Sequence, residues 1–215
     1  MINVLIVEDQ EMPRRLFELI IESSDRYRVA RSIPNAAMAP FYCQQGGIDL
    51  VLMDVCTAMD SSGLEAARRI KERQAQIKII IVTSVPEFSW LSRAREIGVD
   101  SFWYKNLTEA PLLELMDRTM AGESVYPDAP PEVKMGHATN REFSQRELEV
   151  LRELTTGDSN VEIGKRLNIS PLTVKGHVKN MLQKTGFHTR TALAVEARRL
   201  GLVVRCEPGE SSSRE

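Results

Sequence analysis

The stretch VLMDVCTAMDSSGLE, residues 51–65, decides how the first half of the chain is read. With Leu50 before it, an apolar run ends abruptly at the carboxylate of Asp54, and Asp60 follows six residues later. The run does not alternate with polar residues, the pattern of a strand covered on both faces. Ser62 and Glu65 stand three apart, the spacing of a capping box that opens a helix. The window is therefore a buried strand, a loop and a helix start. Whether Asp54 is a reaction centre or only the polar end of a strand is not settled within it.

The same alternation extends outward. Apolar strand candidates cover 3–7, 26–33, 48–54, 78–83 and 99–104. Helical patterns fill 11–23, 35–45, 63–75, 87–97 and 108–121. Five βα units predict a parallel, flavodoxin-like sheet with strand order 2-1-3-4-5 over residues 1–121. Residues 122–142 hold Pro127, Pro130, Pro131 and Gly136 among polar residues and read as a linker. Residues 143–204 are helical throughout, and 205–215 form a polar tail expected to be disordered.

The 215 residues suit one large or two small domains. No apolar run approaches the ~18 residues of a membrane span. The first strand starts at Ile2, so no signal peptide is expected, and a cytoplasmic location follows. Cys43, Cys56 and Cys206 are odd in number and widely spaced, which argues against a disulfide framework or a zinc site. The net charge of −2 conceals an asymmetry. Residues 140–205 carry twelve Lys and Arg against seven Asp and Glu, whereas the remainder carries sixteen against twenty-three. From 163 to 195 there are six basic residues and no acid. Such a run is either a solvated face or a surface for a polyanion.

Polar residues gather at the carboxyl ends of the predicted strands, where open α/β sheets bind ligands. They are Glu8 and Asp9 after strand one, Asp54 after strand three, Thr83 after strand four and Lys105 after strand five. In the predicted order strands one and three are neighbours, so the three carboxylates converge. Clustered carboxylates repel one another unless a cation intervenes, and all-oxygen ligands with retained waters favour Mg²⁺. A carboxylate can also attack phosphorus to form an aspartyl-phosphate. Lys105 would neutralise charge, and the Thr83 hydroxyl would donate to a phosphoryl oxygen.

The segments LIVEDQEMPR, VLMDV, IIIVTS and GVDSFWYKN together resemble the receiver domain of two-component response regulators, over roughly residues 1–121. The resemblance implies that Asp54 accepts a phosphoryl group from a sensor histidine kinase. It implies that Asp9, Asp54 and the main-chain carbonyl of Cys56 bind Mg²⁺, with Glu8 acting through water. Thr83 and Lys105 would hold the phosphoryl oxygens, and Phe102, three before Lys105, matches the aromatic switch position. Packing within strand five is the other reading of Phe102. The loop after Asp54 departs from the pattern. Many members carry Met-Pro three and four residues after the phosphorylated Asp, and Gly eight after. Here Thr57, Ala58 and Ser62 stand there, and Gly63 arrives one residue late. Asn106 follows Lys105 where many members have proline or an acid. Asp60 is read as a loop residue.

In the helical half, Phe143-Ser144 with Glu147-Leu148 predicts a capping box and a staple, and Ser159 with Glu162 a second box. Ser170-Pro171 places an N-cap before a proline, and Thr189 caps a fourth helix. The turn at Asn168-Ile169 has helix-turn-helix spacing. In the helix that follows, Val174, Val178 and Met181 define a buried stripe, while Lys175, Gly176 and Lys179 face outward. Ser170 and Thr173 open that helix and are placed to meet a phosphate. FSQRELEVLRELTTGDSNVEIGKRLNISPLTVKGHVKNMLQKTG resembles a LuxR-type DNA-binding domain. Together the halves resemble a response regulator of the NarL/FixJ type. That implies a DNA-binding transcription regulator, dimeric when active, reading paired half-sites in the major groove of double-stranded DNA. Lys175, Gly176 and Lys179 would take the base-facing positions. The chain is not expected to be an enzyme, because no general acid or substrate pocket is visible for a phosphatase. The alternative is a phospho-independent regulator whose receiver serves only for dimerisation.

Overall fold

A computed structural model of the chain describes residues 1–59, 61–105 and 112–203. Asp60, Asn106, Cys206 and the tail from 205 lie outside the described residues. Two compact units form, one from Met1–Ser84 and Trp90–Ala129, the other mainly from Pro130 onward.

The first unit is a five-stranded parallel sheet. Its strands are β1 (Ile2–Val7), β2 (Tyr27–Ile33), β3 (Leu50–Asp54), β6 (Lys78–Thr83) and β7 (Ser101–Tyr104). Two further short strands, β4 (Cys56–Thr57) and β5 (Ser61–Ser62), lie between β3 and β6 in the chain. The order β2-β1-β3-β6-β7 is the predicted 2-1-3-4-5 order. Val4–Val7, Leu50–Asp54 and Ile79–Thr83 are all buried, which explains why these strands do not alternate in sequence. One face packs Val4, Ile6, Leu52 and Ile80 against Phe17 and Ile21 of α1 (Glu11–Glu22) and Leu115 and Met116 of α5 (Leu112–Met120). Neighbouring strand residues such as Leu5, Val51 and Ile79 are equally buried and point to the opposite face. The predicted helix over 35–45 is divided into a 3-10 turn, Ala36–Met38, and α2 (Ala39–Gln44), which carries Pro40 in its first turn. α3 (Gly63–Arg73) and α4 (Phe88–Ile97) follow the predicted bounds closely.

Two features differ from the sequence reading. The loop after Asp54 is a small antiparallel hairpin. In it β4 (Cys56–Thr57) pairs with β5 (Ser61–Ser62), and Met59 at the tip has φ 60°. This hairpin absorbs the additional residue. The stretch read as a linker also contains regular structure. Phe102 N–H donates to the Val125 carbonyl at 2.9 Å, and Val125 N–H to the Ser101 hydroxyl at 3.2 Å. The Tyr126 hydroxyl donates to the Val99 carbonyl at 2.8 Å. The segment thus lies along β7, satisfying main-chain groups that an edge strand leaves open.

In the second unit, β8 (Lys134–Met135) and β9 (Ala138–Thr139) form a hairpin ahead of four helices. These are α6 (Gln145–Leu154), α7 (Asn160–Leu167), α8 (Pro171–Thr185) and α9 (Arg190–Arg199). Ser144 and Ser159 make the predicted capping boxes, Ser170 caps α8 ahead of Pro171, and Thr189 caps α9. Asn168 closes α7 in the left-handed conformation (φ 52°, ψ 47°), a geometry asparagine tolerates. Val174, Val178 and Met181 enter a core with Leu148, Leu151, Ile163 and Leu193, as their spacing predicted.

Candidate functional site

The register of β1 on β3 sets Val7 beside Met53, so the residues that follow, Glu8 and Asp54, emerge side by side. Carboxylate oxygens of Glu8, Asp9 and Asp54 all lie within 4.8 Å of one another. Glu8 is fully buried, Asp54 is 6 % exposed, and Asp9 faces solvent. Lys105, just beyond β7, donates to Glu8 at 2.5 Å and to Asp54 at 2.8 Å. Its own N–H donates to the Thr83 carbonyl at 2.9 Å, tying the ends of β6 and β7 together. Thr83 is buried at the end of β6. Strand geometry thus collects Glu8, Asp9, Asp54, Thr83 and Lys105 at one edge, as the sequence predicted.

Electrostatics hold this group under tension. Burial pushes the Asp54 carboxyl well above the usual carboxylate range; Lys105 opposes the rise and Glu8 adds to it. Burial works against the charge of Lys105, but Asp54 and Glu8 outweigh it and keep the ammonium firmly protonated. One ammonium contacts two of the three carboxylates, and its single positive charge leaves the oxygen-lined cluster net negative. That donor set fits a hard divalent cation.

Phe102 is buried in β7 with its ring 5.1 Å from that of Tyr104 and 6.1 Å from that of Tyr126.

Cys56 is half-buried in β4. Cys43 is a free, buried thiol, pushed up to about 12 by its apolar surroundings.

Two residues beside the cluster had no distinct role in the sequence reading. Arg14 donates to the main-chain carbonyl of Glu8 at 2.9 Å, holding the acidic turn onto α1. Thr57 is buried, and its hydroxyl accepts the Ala36 N–H at 2.9 Å and donates to the Ser61 carbonyl at 3.1 Å. Neither has a local sequence signal, because each acts on a backbone group set there by the fold. Gly63 is compelled by close approach: a Cβ there would lie 1.9 Å from the Asp54 carbonyl oxygen.

In the second unit, Lys175, Gly176 and Lys179 lie exposed along α8, on the face opposite the buried stripe. A Cβ on Gly176 would meet nothing within 4 Å. Ser170 and Thr173 are exposed, with their hydroxyls 2.8 Å apart, and the Ser170 hydroxyl accepts the Thr173 N–H at 3.0 Å. Part of their bonding capacity is therefore used in capping α8.

A buried aspartate between an acidic pair and a lysine at the strand ends, joined in one chain to a capped helix-turn-helix, defines a receiver coupled to a DNA-binding domain. The chain matches the model of the response regulator receiver domain over residues 4–117. It matches that of the bacterial regulatory proteins of the luxR family over 141–197. The response regulator protein VraR of Staphylococcus epidermidis is 32% identical over 204 residues, covering 91% of this chain and 96% of that protein. VraR of Staphylococcus aureus is similar to the same extent. Among solved structures, two RcsB dimers bound to two parallel DNAs resemble the chain with a TM-score of 0.56 at 20% identity, covering 94% of this chain and 99% of that one. RcsB of Salmonella enterica serovar Typhimurium, bound to promoter rprA in the presence of BeF3-, gives 0.56 at 19% identity over 90% and 96%. Those two likenesses concern the fold. The chain belongs to the two-component response regulators with a LuxR-type DNA-binding domain, and is a DNA-binding transcriptional regulator. No helix among the described residues is long and apolar enough to cross a membrane.

Proposed function

We propose that phosphorylation of Asp54 by a partner histidine kinase switches this regulator on DNA. The observation that carries the reading is Asp54 itself, buried at the end of β3, 2.8 Å from Lys105 and clustered with Glu8 and Asp9. An Asp54 oxygen attacks phosphorus, the O–P bond forms as the P–N bond of phosphohistidine breaks, and the imidazole nitrogen leaves with the electron pair. Lys105 pairs with the added negative charge, and the Thr83 hydroxyl donates to a phosphoryl oxygen. Asp9, Asp54 and the Cys56 carbonyl would hold Mg²⁺, with Glu8 acting through water. The ion supplies charge neutralisation at the phosphoryl oxygens. Movement at Thr83 is passed to Phe102. The phosphorylated form pairs as a homodimer on two half-sites, with α8 in the major groove and Lys175, Gly176 and Lys179 towards the bases. Such a protein works in the cytoplasm and performs no turnover of a separate substrate.

Labelling with radioactive acetyl phosphate and Mg²⁺ tests the acceptor. Asp54→Ala is expected to abolish labelling with circular dichroism unchanged; undiminished labelling would remove Asp54 from the role. A gel shift with and without the phosphoryl donor tests the switch. Tighter binding with donor supports it, and identical affinity favours the alternative of a phospho-independent regulator whose receiver serves for dimerisation.

A further inference from the structure

We infer that Thr57 is a positioning residue for the metal site, its hydroxyl fixing the peptide that carries the Cys56 carbonyl. The inference rests on the receiver reading above and deepens it.

A loop with Met-Pro at positions 57 and 58 is stiffened by the fixed φ of proline. This chain has Thr-Ala there and one residue more before its glycine. Stiffness must come from elsewhere, and the hydrogen bonds show where. The Thr57 hydroxyl is bonded in both directions, as acceptor from Ala36 N–H at 2.9 Å and as donor to the Ser61 carbonyl at 3.1 Å. One bond fastens the hairpin to the 3-10 turn beyond β2, the other fastens β4 to β5. A third bond, Ala58 N–H to the Pro34 carbonyl at 3.1 Å, runs beside the first. Thr57 is only 5 % exposed, so water does not substitute for these partners.

The link to the site is covalent. The carbonyl of Cys56 and the nitrogen of Thr57 belong to one planar peptide group. Whatever immobilises Thr57 restricts the rotation of that carbonyl. Outer-shell hydrogen bonds that orient metal ligands commonly set metal affinity. Packing offers a rival account, in which Thr57 only fills a small buried volume; valine would then serve equally well.

Two substitutions separate the accounts. Thr57→Val keeps the shape and removes the hydroxyl; Thr57→Ser keeps the hydroxyl and removes the methyl. Mg²⁺ binding is measured by titration calorimetry on the full chain, in reducing buffer so that Cys56 is a thiol throughout. Thr57→Val is expected to raise the dissociation constant about tenfold, while Thr57→Ser stays within about twofold of the unaltered chain. Thr57→Ala set against Thr57→Ser isolates the hydroxyl a second time, since the two differ in that group alone, and decides the matter should Thr57→Val not fold. Unchanged Mg²⁺ affinity in the folded hydroxyl-deleted protein, or a loss in Thr57→Ser as large as in Thr57→Val, overturns the inference and leaves the receiver reading intact. No Mg²⁺ binding by the unaltered chain overturns that reading, and this inference with it.

Discussion

Three glycines show how much a single Cβ decides. Gly63 begins α3 where the chain turns back under the acceptor, and an added Cβ would sit 1.9 Å from the Asp54 carbonyl oxygen. Backbone on both sides cannot yield, so Gly63→Ala is expected to cost about 3 kcal/mol and to disturb the acceptor itself. In α7, a Cβ on Gly164 would lie 2.6 Å from the Ile169 carbonyl oxygen, which is how close the helix-turn-helix turn comes. Gly164→Ala is expected to destabilise by about 1–3 kcal/mol. Gly176 has open space and ordinary helical φ, so Gly176→Ala is expected to stabilise by about 1 kcal/mol, the difference in helix propensity. Thermal unfolding of the three variants checks the signs, and a Gly176→Ala that destabilises would contradict the open environment. The late position of Gly63 was visible in the sequence, but the reason for it was not. That reason is a carbonyl nine residues earlier, brought close only by the turn between β3 and α3.

Elements whose determinants are local were legible in the sequence; elements with distant partners were not. Ser144, Ser159, Ser170 and Thr189 cap the helices they were expected to cap, because donor and acceptor are three residues apart. The strand-end cluster was legible for a related reason, since strand order alone brings Glu8, Asp9 and Asp54 together. The β4–β5 hairpin depends on Pro34 and Ala36, the 124–126 segment on the open edge of β7, and the β8–β9 hairpin on the Thr185 carbonyl, which accepts the His137 N–H at 3.0 Å. No window of sequence contains those partners. A cap can also join elements. Glu147 accepts the Ser144 N–H at 2.8 Å and pairs with Lys184 of α8 at 2.7 Å. Burial works against its charge, but Lys184 and Ser144 outweigh burial and hold its pKa below the ordinary value. The folded state therefore favours the carboxylate. Its contribution is present in full above the ordinary carboxylate pKa and is lost as the pH falls through the depressed folded value. Glu147→Gln is expected to cost about 1 kcal/mol at pH 7, a modest value because Lys184 is about a third exposed. The gap should close as the pH drops below about 4. Urea unfolding followed by ellipticity measures it. Fluorescence of Trp90 and Trp103, both in the first unit, marks the other transition. A gap independent of pH would assign the effect to the cap alone.

At the scale of the whole molecule, the charge asymmetry needs correcting by the contacts. The acid-free run 163–195 suggested six cations for a polyanion. Arg166 is bonded to Glu153 and Asp158, Lys184 to Glu147, and Arg190 to Asn160 and the Asp158 carbonyl. Those acids lie outside the run in sequence and return to it in space. Lys165, Lys175 and Lys179 are exposed and have no carboxylate partner among the described residues. Two of these three stand one turn apart on α8, on the face away from the core. The positive charge of this run left without a carboxylate partner is thus narrower than composition implies, and two of its three lysines lie on α8. Each phosphate neutralised by a lysine steepens the fall of affinity with salt by about one unit of log–log slope. Lys175→Ala and Lys179→Ala are each expected to weaken DNA binding. A lysine on a phosphate flattens the slope by about one, whereas a lysine on a guanine edge relaxes sequence preference at one position. Arg166→Ala is expected to act differently, lowering the unfolding midpoint through Glu153 while leaving the slope unchanged. Gel shifts across a salt series, with unfolding midpoints on the same preparations, distinguish the two kinds of cation. A slope lowered as much by Arg166→Ala as by the α8 lysines would show that the internal pairs open to meet DNA.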